Sequence, residues 1–397
     1  MNRTVIALAV VLAGAITARA QTQAAPTRVP IVFLELADDA RYEPVRAFGR
    51  FVLKALDHPY AGAQVGIEDA RPLTRASGAD HQLERITANS IDDMVVAIIR
   101  SNDAGVAWFL LDAPAEAYKA VAAAVKGRDL LLFNVSAPED WLRRDLCSAE
   151  VVHAMPSRAQ LMDGLTQFLV SKKWRDYLIF RGPLPQDRET VDAFTRSAKK
   201  FGGRIVATRD FTPGTDPRER EKNNPALLSA INKDWDVTFV ADANFDFARE
   251  VSYRTVRPRP VVGAIDLEPV AWHWTWDHNG APQVNTRFAR YSGGRHMDSP
   301  DWAAWMAVKM ITQSALRAGA VDFKPRRDFI LGPGAFDGDK GEAMSVRPWD
   351  HQLRQSVILA SPLSVVANAP IEGFLHQRDV LDTLGDDDAE TPCHLNR

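Results

Sequence analysis

Short, near-continuous apolar runs alternate along this chain with amphipathic stretches of helical period. Residues 28–36 (RVPIVFLEL) form a run of the kind that a parallel strand buried on both faces requires. Similar runs recur at Val106–Leu111, Leu130–Val135, Tyr177–Arg181, Asp236–Ala241 and Pro260–Ile265. Between them lie helices with readable ends. Ser90 caps a helix through Met94, Val95, Ile98 and Ile99, and Pro114 suits the first turn of a helix that stops at Lys126–Gly127. Ser157 with Gln160 three residues on reads as a capping box for a helix burying Leu161, Leu165, Phe168 and Leu169. A further helix ends at Phe201-Gly202-Gly203 and leads to a strand over Arg204–Thr208. Phe247–Tyr253 reads as a short helix. Pro300–Ala318 reads as a long helix whose Trp302, Trp305 and Met306 belong to a core. Spacing also predicts a helix through Phe48, Phe51, Val52 and Leu56 and a strand over Ala63–Ile67.

Strand, short loop, helix, strand is the repeat of an α/β protein, and right-handed crossovers then make each sheet parallel and doubly wound. The stretch Asp129–Gly182 closes one such unit and opens a second. The expected fold class is therefore α/β, with two doubly wound parallel-sheet lobes and a ligand cleft between them. Length agrees, because the roughly 377 residues after residue 20 exceed the ~250–300 at which one core stops growing.

Met1-Asn2-Arg3, the apolar Val5–Ile16 and the small-residue site Ala18-Arg19-Ala20 read as a cleavable signal peptide over residues 1–20, hence an exported, periplasmic protein. The run is too short to span a bilayer, so no membrane span is expected. Net charge is −3 from 48 basic and 51 acidic residues, which offers no basic face to nucleic acid. The single-sign run Asp386-Asp387-Asp388 reads as part of a solvated C-terminal tail. Two cysteines, Cys147 and Cys393, in an exported chain favour a disulfide over free thiols.

Enzyme signatures are weak. There is no G-x-S-x-G elbow, P-loop or H-E-x-x-H, and no cofactor is implied. His273 and His278 are five apart, wrong for one helical face, and His153 lies on an apolar segment that suits a structural role. Trp272, Trp274 and Trp276 alternate as an extended aromatic surface, with packing as their simplest role.

Several segments resemble the type I periplasmic substrate-binding proteins of ABC transporters, the family that includes branched-chain amino-acid binders. They are A-F-x-R-F at Ala47–Phe51, L-L-x-F-N-V-S at Leu130–Ser136, M-P-S-R-x-Q-L-M-x-G-L from Met155, F-G-G-R-I-V from Phe201 and R-P-W-D-H-Q-L-R-Q over Arg347–Gln355. Leu132–Glu139 (LFNVSAPE), Arg181–Gln186 (RGPLPQ), Ala271–Trp276 (AWHWTW) and Gly373–His376 (GFLH) are most similar to the branch associated with PQQ-dependent alcohol dehydrogenase systems.

The resemblance implies three crossings between lobes. Lobe one would then hold 28–150 plus 288–328, lobe two 151–287 plus 329–375, and 376–397 would be a tail. It also implies hinge closure around a small ligand, ABC transporter membrane subunits as partners and a PQQ-dependent dehydrogenase as a possible neighbour.

Ligand groups in such sheets come from loops at the carboxyl ends of strands. In lobe one that rule nominates Glu35, Asp38, Asp39, Asp112, Asn134 and Ser136. In lobe two it nominates Arg181, Asp242, Asn244, Asp266 and Glu268. Amino-acid binders of the family carry a Gly-Pro-x-Ser segment where Leu111-Asp112-Ala113-Pro114 stands. A carboxylate there would repel an α-carboxylate, so an ordinary amino acid is disfavoured. An acidic cleft also admits a hard cation such as calcium or a lanthanide as ligand, although no metal-ligand spacing identifies one. A periplasmic accessory or sensor protein on the same fold is the other reading.

Overall fold

A computed structural model describes residues 25–47, 51–54, 56–212 and 221–395. Residues 1–20, expected to be a signal peptide, Phe48 and most of the polar 211–224 connection lie outside the described residues.

The chain opens with β1 (Thr27–Leu36), whose Ile31–Leu34 are fully buried. A hairpin of β2 (Val45–Ala47) and β3 (Phe51–Lys54) follows, where helical spacing predicted a helix. The next departure is α1 (Tyr60–Ala70), which replaces the strand expected at Ala63–Ile67. Its small residues explain why. Gly62 and Gly66 leave no room for a Cβ against the Asp301 carbonyl and the Val308 side chain, so this face exists to let helix Ser299–Arg317 approach. After α2 (Thr74–Ser77) comes β4 (Ala79–Ala88), a strand that apolar content does not reveal because its outer positions carry Glu84 and Arg85.

Four elements then follow the sequence reading: α3 (Ile91–Asp103, capped by Ser90), β5 (Trp108–Asp112), α4 (Ala117–Val125) and β6 (Leu131–Asn134), whereas β7 (Val151–His153) adds to the first sheet a strand from residues expected in lobe two. The five strands are parallel in the order β4-β1-β5-β6-β7.

The capping box of Ser157 and Gln160 then starts α5 (Arg158–Ser171). It leads to β8 (Asp176–Arg181), α6 (Pro185–Phe201), β9 (Arg204–Asp210), β10 (Val237–Ala241) and β11 (Val261–Gly263), a second parallel sheet ordered β11-β10-β8-β9. Two parallel sheets are thus present, as the alternation of elements predicts. Of the short helix expected at Phe247–Tyr253 a single 3-10 turn, Ala248–Glu250, forms.

A small antiparallel sheet was not foreseen. It consists of β12 (Glu268–Val270), β15 (Val357–Ser361) and β16 (Ser364–Ala369), and it packs on α5. The intervening β13 (Phe336–Asp337) and β14 (Ala343–Met344) pair with each other. Between β12 and β15 the chain returns to the first sheet, where helix Ala281–Tyr291 packs on α1. The core beside that sheet also takes in Ile330, Phe336, Met344, Val346 and Leu353.

Two of the passages between sheets are joined by a buried arginine. Arg143 donates to the carbonyls of Ala137, Glu139 and Met155 and to Gln352 Oε1, at 2.7–3.0 Å. Gln352 in turn donates to the His153 carbonyl at 2.9 Å. Burial pushes the Arg143 guanidinium down to about 10.

Cys147 and Cys393 form the expected disulfide, across 246 residues. The segment it holds is not a solvated tail. Leu381 and Leu384 are buried, Arg347 donates to the Leu384 carbonyl at 2.6 Å and to Asp382 at 2.9 Å, and Asp386 pairs with Arg144. Among the described residues, no helix is long and apolar enough to cross a membrane.

Candidate functional site

Register alone sets two carboxylates side by side. β1 and β5 pair so that Glu35 lies opposite Asp112, both at the carboxyl end of the first sheet and both buried. Asp112 accepts from Arg41 Nη2 at 2.9 Å and from the Tyr42 hydroxyl at 2.7 Å, and it lies 2.6 Å from His58 Nδ1. Arg41 also grips Asp39 through Nε and Nη2 and donates to Ser136 Oγ at 2.9 Å. Glu35 accepts two bonds from Arg85 at 2.8 and 2.9 Å and one from Thr87 at 2.9 Å, and His58 Nδ1 stands 3.6 Å away.

Burial would raise the Asp112 carboxyl, but the His58 hydrogen bond and the Arg41 charge outweigh it and hold the group below its ordinary range. The same contacts act on His58 in reverse. Burial disfavours the imidazolium, yet the bond to Asp112 and the charges of Asp112, Glu35 and Asp39 raise its pKa. Tyr42 is pushed up by burial and by Asp112.

Glu35, Asp39, Asp112 and Ser136 therefore belong to one network, while Asp38 is exposed beside it. Asn134 is wholly buried. It accepts from Tyr118 at 2.9 Å and from the Ala137 N–H at 2.9 Å, and donates to the Ala137 carbonyl at 2.8 Å, so its work is to shape the loop after β6. His153, 3.0 Å from Asn134, is buried as expected.

The second-lobe candidates do not form a matching cluster. Arg181 reaches sideways to Asp210, at 2.7 and 3.1 Å. Asp242 accepts the N–H groups of Asn244, Phe247 and Ala248 at 2.9–3.2 Å and shapes its own loop. Asp266 accepts from Ser252, and Glu268 begins β12. Asn244 is exposed.

Tyr42, His58 and Arg85 escaped the sequence reading. They lie 70, 54 and 50 residues from the carboxylates they meet, with no motif to connect them. The one available signal was that two buried carboxylates need compensating charge.

A trough runs past this network. One part is a cavity of about 550 Å³ lined by Arg41, Glu43 and Arg46 from the first lobe and by Leu184, Gln186 and Asn244 from the second. Another, of about 380 Å³, is lined by Glu268, Trp272, Trp274, His296 and Asp298, and Leu56 borders both. Trp272 donates to Asn285 and Trp276 to the Asp339 carbonyl, so both are packed. Trp274 instead stacks on His296, with centroids 4.1 Å apart and planes within 9°.

Among the described residues, Glu35, His58 and Asp112 are the one acidic-histidine group compact enough for a metal, with ligand atoms within 4.8 Å of one another. A hard cation asks for six or more oxygens. Here Arg41 and Arg85 already neutralise both carboxylates, so the residues present fit such an ion poorly.

The fold is that of the two-lobed periplasmic binding proteins. The chain superposes on a branched-chain amino acid ABC transporter periplasmic ligand-binding protein from Burkholderia xenovorans LB400 with a TM-score of 0.73. That match covers 93% of this chain and 100% of the other at 15% identity. An ABC transporter substrate-binding protein from Desulfitobacterium hafniense, solved with Leu, matches at 0.64 over 86% of this chain and 99% of the other, with 13% identity. An R. palustris solute-binding protein solved with benzoate matches at 0.64 over 92% of this chain and 99% of the other, with 11% identity. No protein-family model and no curated protein matches the sequence.

Proposed function

We propose that this protein is a periplasmic solute-binding protein, without catalytic activity, that closes two lobes on a small molecule and presents it to the membrane subunits of an ABC transporter. The observation that carries the reading is the trough itself, lined from opposite sides by loops of both parallel sheets. We place the lobe boundary so that the first lobe extends to about residue 353, just before β15 of the antiparallel sheet, whose Ile358 and Ala360 also pack into the first-lobe core.

The finer assignment, to a transporter serving PQQ-dependent alcohol oxidation, rests on the resemblance of four segments. Three of them supply this region. LFNVSAPE carries Ser136 of the Arg41 network, RGPLPQ carries Leu184 and Gln186, and AWHWTW carries Trp272 and Trp274. An ordinary amino acid is a less telling exclusion than the bare sequence suggested, because Arg41 offsets the Asp112 charge.

Thermal unfolding of the processed protein against amino acids, alcohols, their acids, calcium and lanthanide ions tests the proposal. A solute at a hundredfold excess over Kd stabilises by about 2.7 kcal/mol. An accessory or sensor protein that has lost its solute responds to none of these compounds. A response to the ions alone reinstates the cation.

A further inference from the structure

No strand follows β16 among the described residues, yet residues 379–395 are packed along the junction of the two halves. On the second half the contacts are deep. Leu384 is fully buried in the core that α5 shares with the second sheet. The Gly385 N–H donates to Asp163 of α5 at 2.9 Å, the Gly385 carbonyl accepts from Lys200 of α6 at 2.8 Å, and Gln167 of α5 donates to Thr383 at 3.2 Å. Gly385 has a φ of 81°, and a Cβ there would lie 2.8 Å from Gln160 Cγ, so a glycine lets the segment lie this close to α5.

The same segment is fixed to the first half. The helical turn Leu142–Leu146 lies between β6 and β7 of the first sheet, and Leu142 is buried in a core of that sheet. From this turn Arg144 pairs with Asp386, and Cys147, the residue after it, is bonded to Cys393. Between the two anchorages Asp382 accepts from Arg347 and Arg354 at 2.8–3.0 Å, both on the passage that leads from the first half to β15.

The chain itself passes between the halves three times, after β7, after β12 and before β15. The disulfide makes a fourth covalent connection. Backbone passages let two halves bend and twist against each other, and a further link with one end in each core limits both motions. We infer that residues 379–393 are a strap that narrows the range over which the halves open, held at one end by the Cys147–Cys393 bond and at the other by the Gly385 contacts to α5 and α6. This rests on the reading of two lobes that close on a solute and adds a control on that motion. A narrower open ensemble leaves less motion to be frozen on closure, so the strap favours binding without touching the solute.

The test needs no solute. Spin labels at Val96→Cys on α3 and Lys233→Cys before β10, exposed positions with one in each half, report the spread of distances between the halves of the processed protein by pulsed electron resonance. Cys147→Ser with Cys393→Ser should make that distribution about twice as wide. Lys200→Met, with the disulfide intact, should widen it to a lesser degree, because Leu384 and the Asp163 bond remain. All three substitutions together should be no wider than the cysteine pair alone, since a strap released at one end carries no load.

A disulfide that serves only as a staple lowers the unfolding temperature when removed and leaves the width unchanged. That result overturns the inference, as does a combined variant in which the two widenings add. If the cysteine variant shows no cooperative unfolding, Lys200→Met decides, and an unchanged width in it overturns the strap. An unchanged width leaves solute binding standing, to be judged by the thermal panel, whereas a panel without any response removes the solute reading and leaves the widths to report on the strap.

Discussion

Asp112 and Asp242 occupy equivalent places, each where a central strand of a parallel sheet meets the trough, and they are satisfied in opposite ways. Asp242 is met by backbone N–H groups two, five and six residues ahead of it. Asp112 is met by side chains from 54 to 71 residues away, two of which carry or can carry charge. The first arrangement is a local loop staple that any two-lobed protein can use. The second ties the segment from Asp39 to His58 onto the first sheet, beside the cavity. Charge that is balanced by a distant segment couples the site to that segment's position. Charge balanced by its own loop does not.

The largest expected effect separates the two directly. Asp112→Ala leaves Arg41, Tyr42 and His58 without their shared acceptor. It should cost about 3 kcal/mol in urea unfolding, the low end for breaking a buried pair because Arg41 retains some solvent access. Asp242→Ala leaves three N–H groups unmet and should cost about 1–3 kcal/mol. Its faster amide exchange should be confined to residues 243–248.

A double-mutant cycle sharpens the contrast. Asp112 with Arg41 should show a coupling of about 0.5–3 kcal/mol, and Asp242 with Arg181 should add within about 0.5 kcal/mol. Equal couplings in the two cycles would erase the distinction.

The smallest effect is in pH. His58 has a folded pKa raised above its unfolded value, so its stabilisation is fully present below the unfolded pKa of about 6.5 and is lost as pH rises through the folded value. Asp112, with its pKa lowered, behaves conversely, and its contribution is lost as pH falls through its folded value. His58→Gln should therefore flatten the decline in stability on the alkaline side and, because the His58 bond helps hold the Asp112 carboxyl down, also reduce the loss on the acid side, where Arg41 still acts on Asp112. Stability curves from pH 4 to 9 for the two proteins decide it.

Much of the scaffold was legible because its signals are local. The apolar runs that became β1, β5, β6, β8 and β10 need burial on both faces, and the caps at Ser90 and Ser157 mark helix starts that the structure contains. Local pattern failed where tertiary packing overrode it. The Ala61–Gly66 stretch looks like a strand of small residues until helix Ser299–Arg317 is laid against it, and β4 hides behind an exposed charged face.

The site divides along the same line. Glu35 and Asp112 follow from the strand-end rule, which needs only the order of elements. Arg41 and Tyr42 reach Asp112 from a turn just before the hairpin, and His58 from just after it, a hairpin that helical spacing disguised. Asp242 was nominated by the same rule as Asp112, but its role was set by a turn that sequence does not reveal.

Lobe closure is the central claim, and the spacing across the trough reports it most directly. Spin labels at Glu43→Cys and Gln186→Cys, exposed positions on opposite walls, give a distance distribution by pulsed electron resonance. With a compound that raises the unfolding temperature, the distribution should shift to shorter distance and narrow. An unchanged distribution in the presence of that stabilising compound would contradict closure and leave a protein that keeps the two-lobed fold without using its hinge.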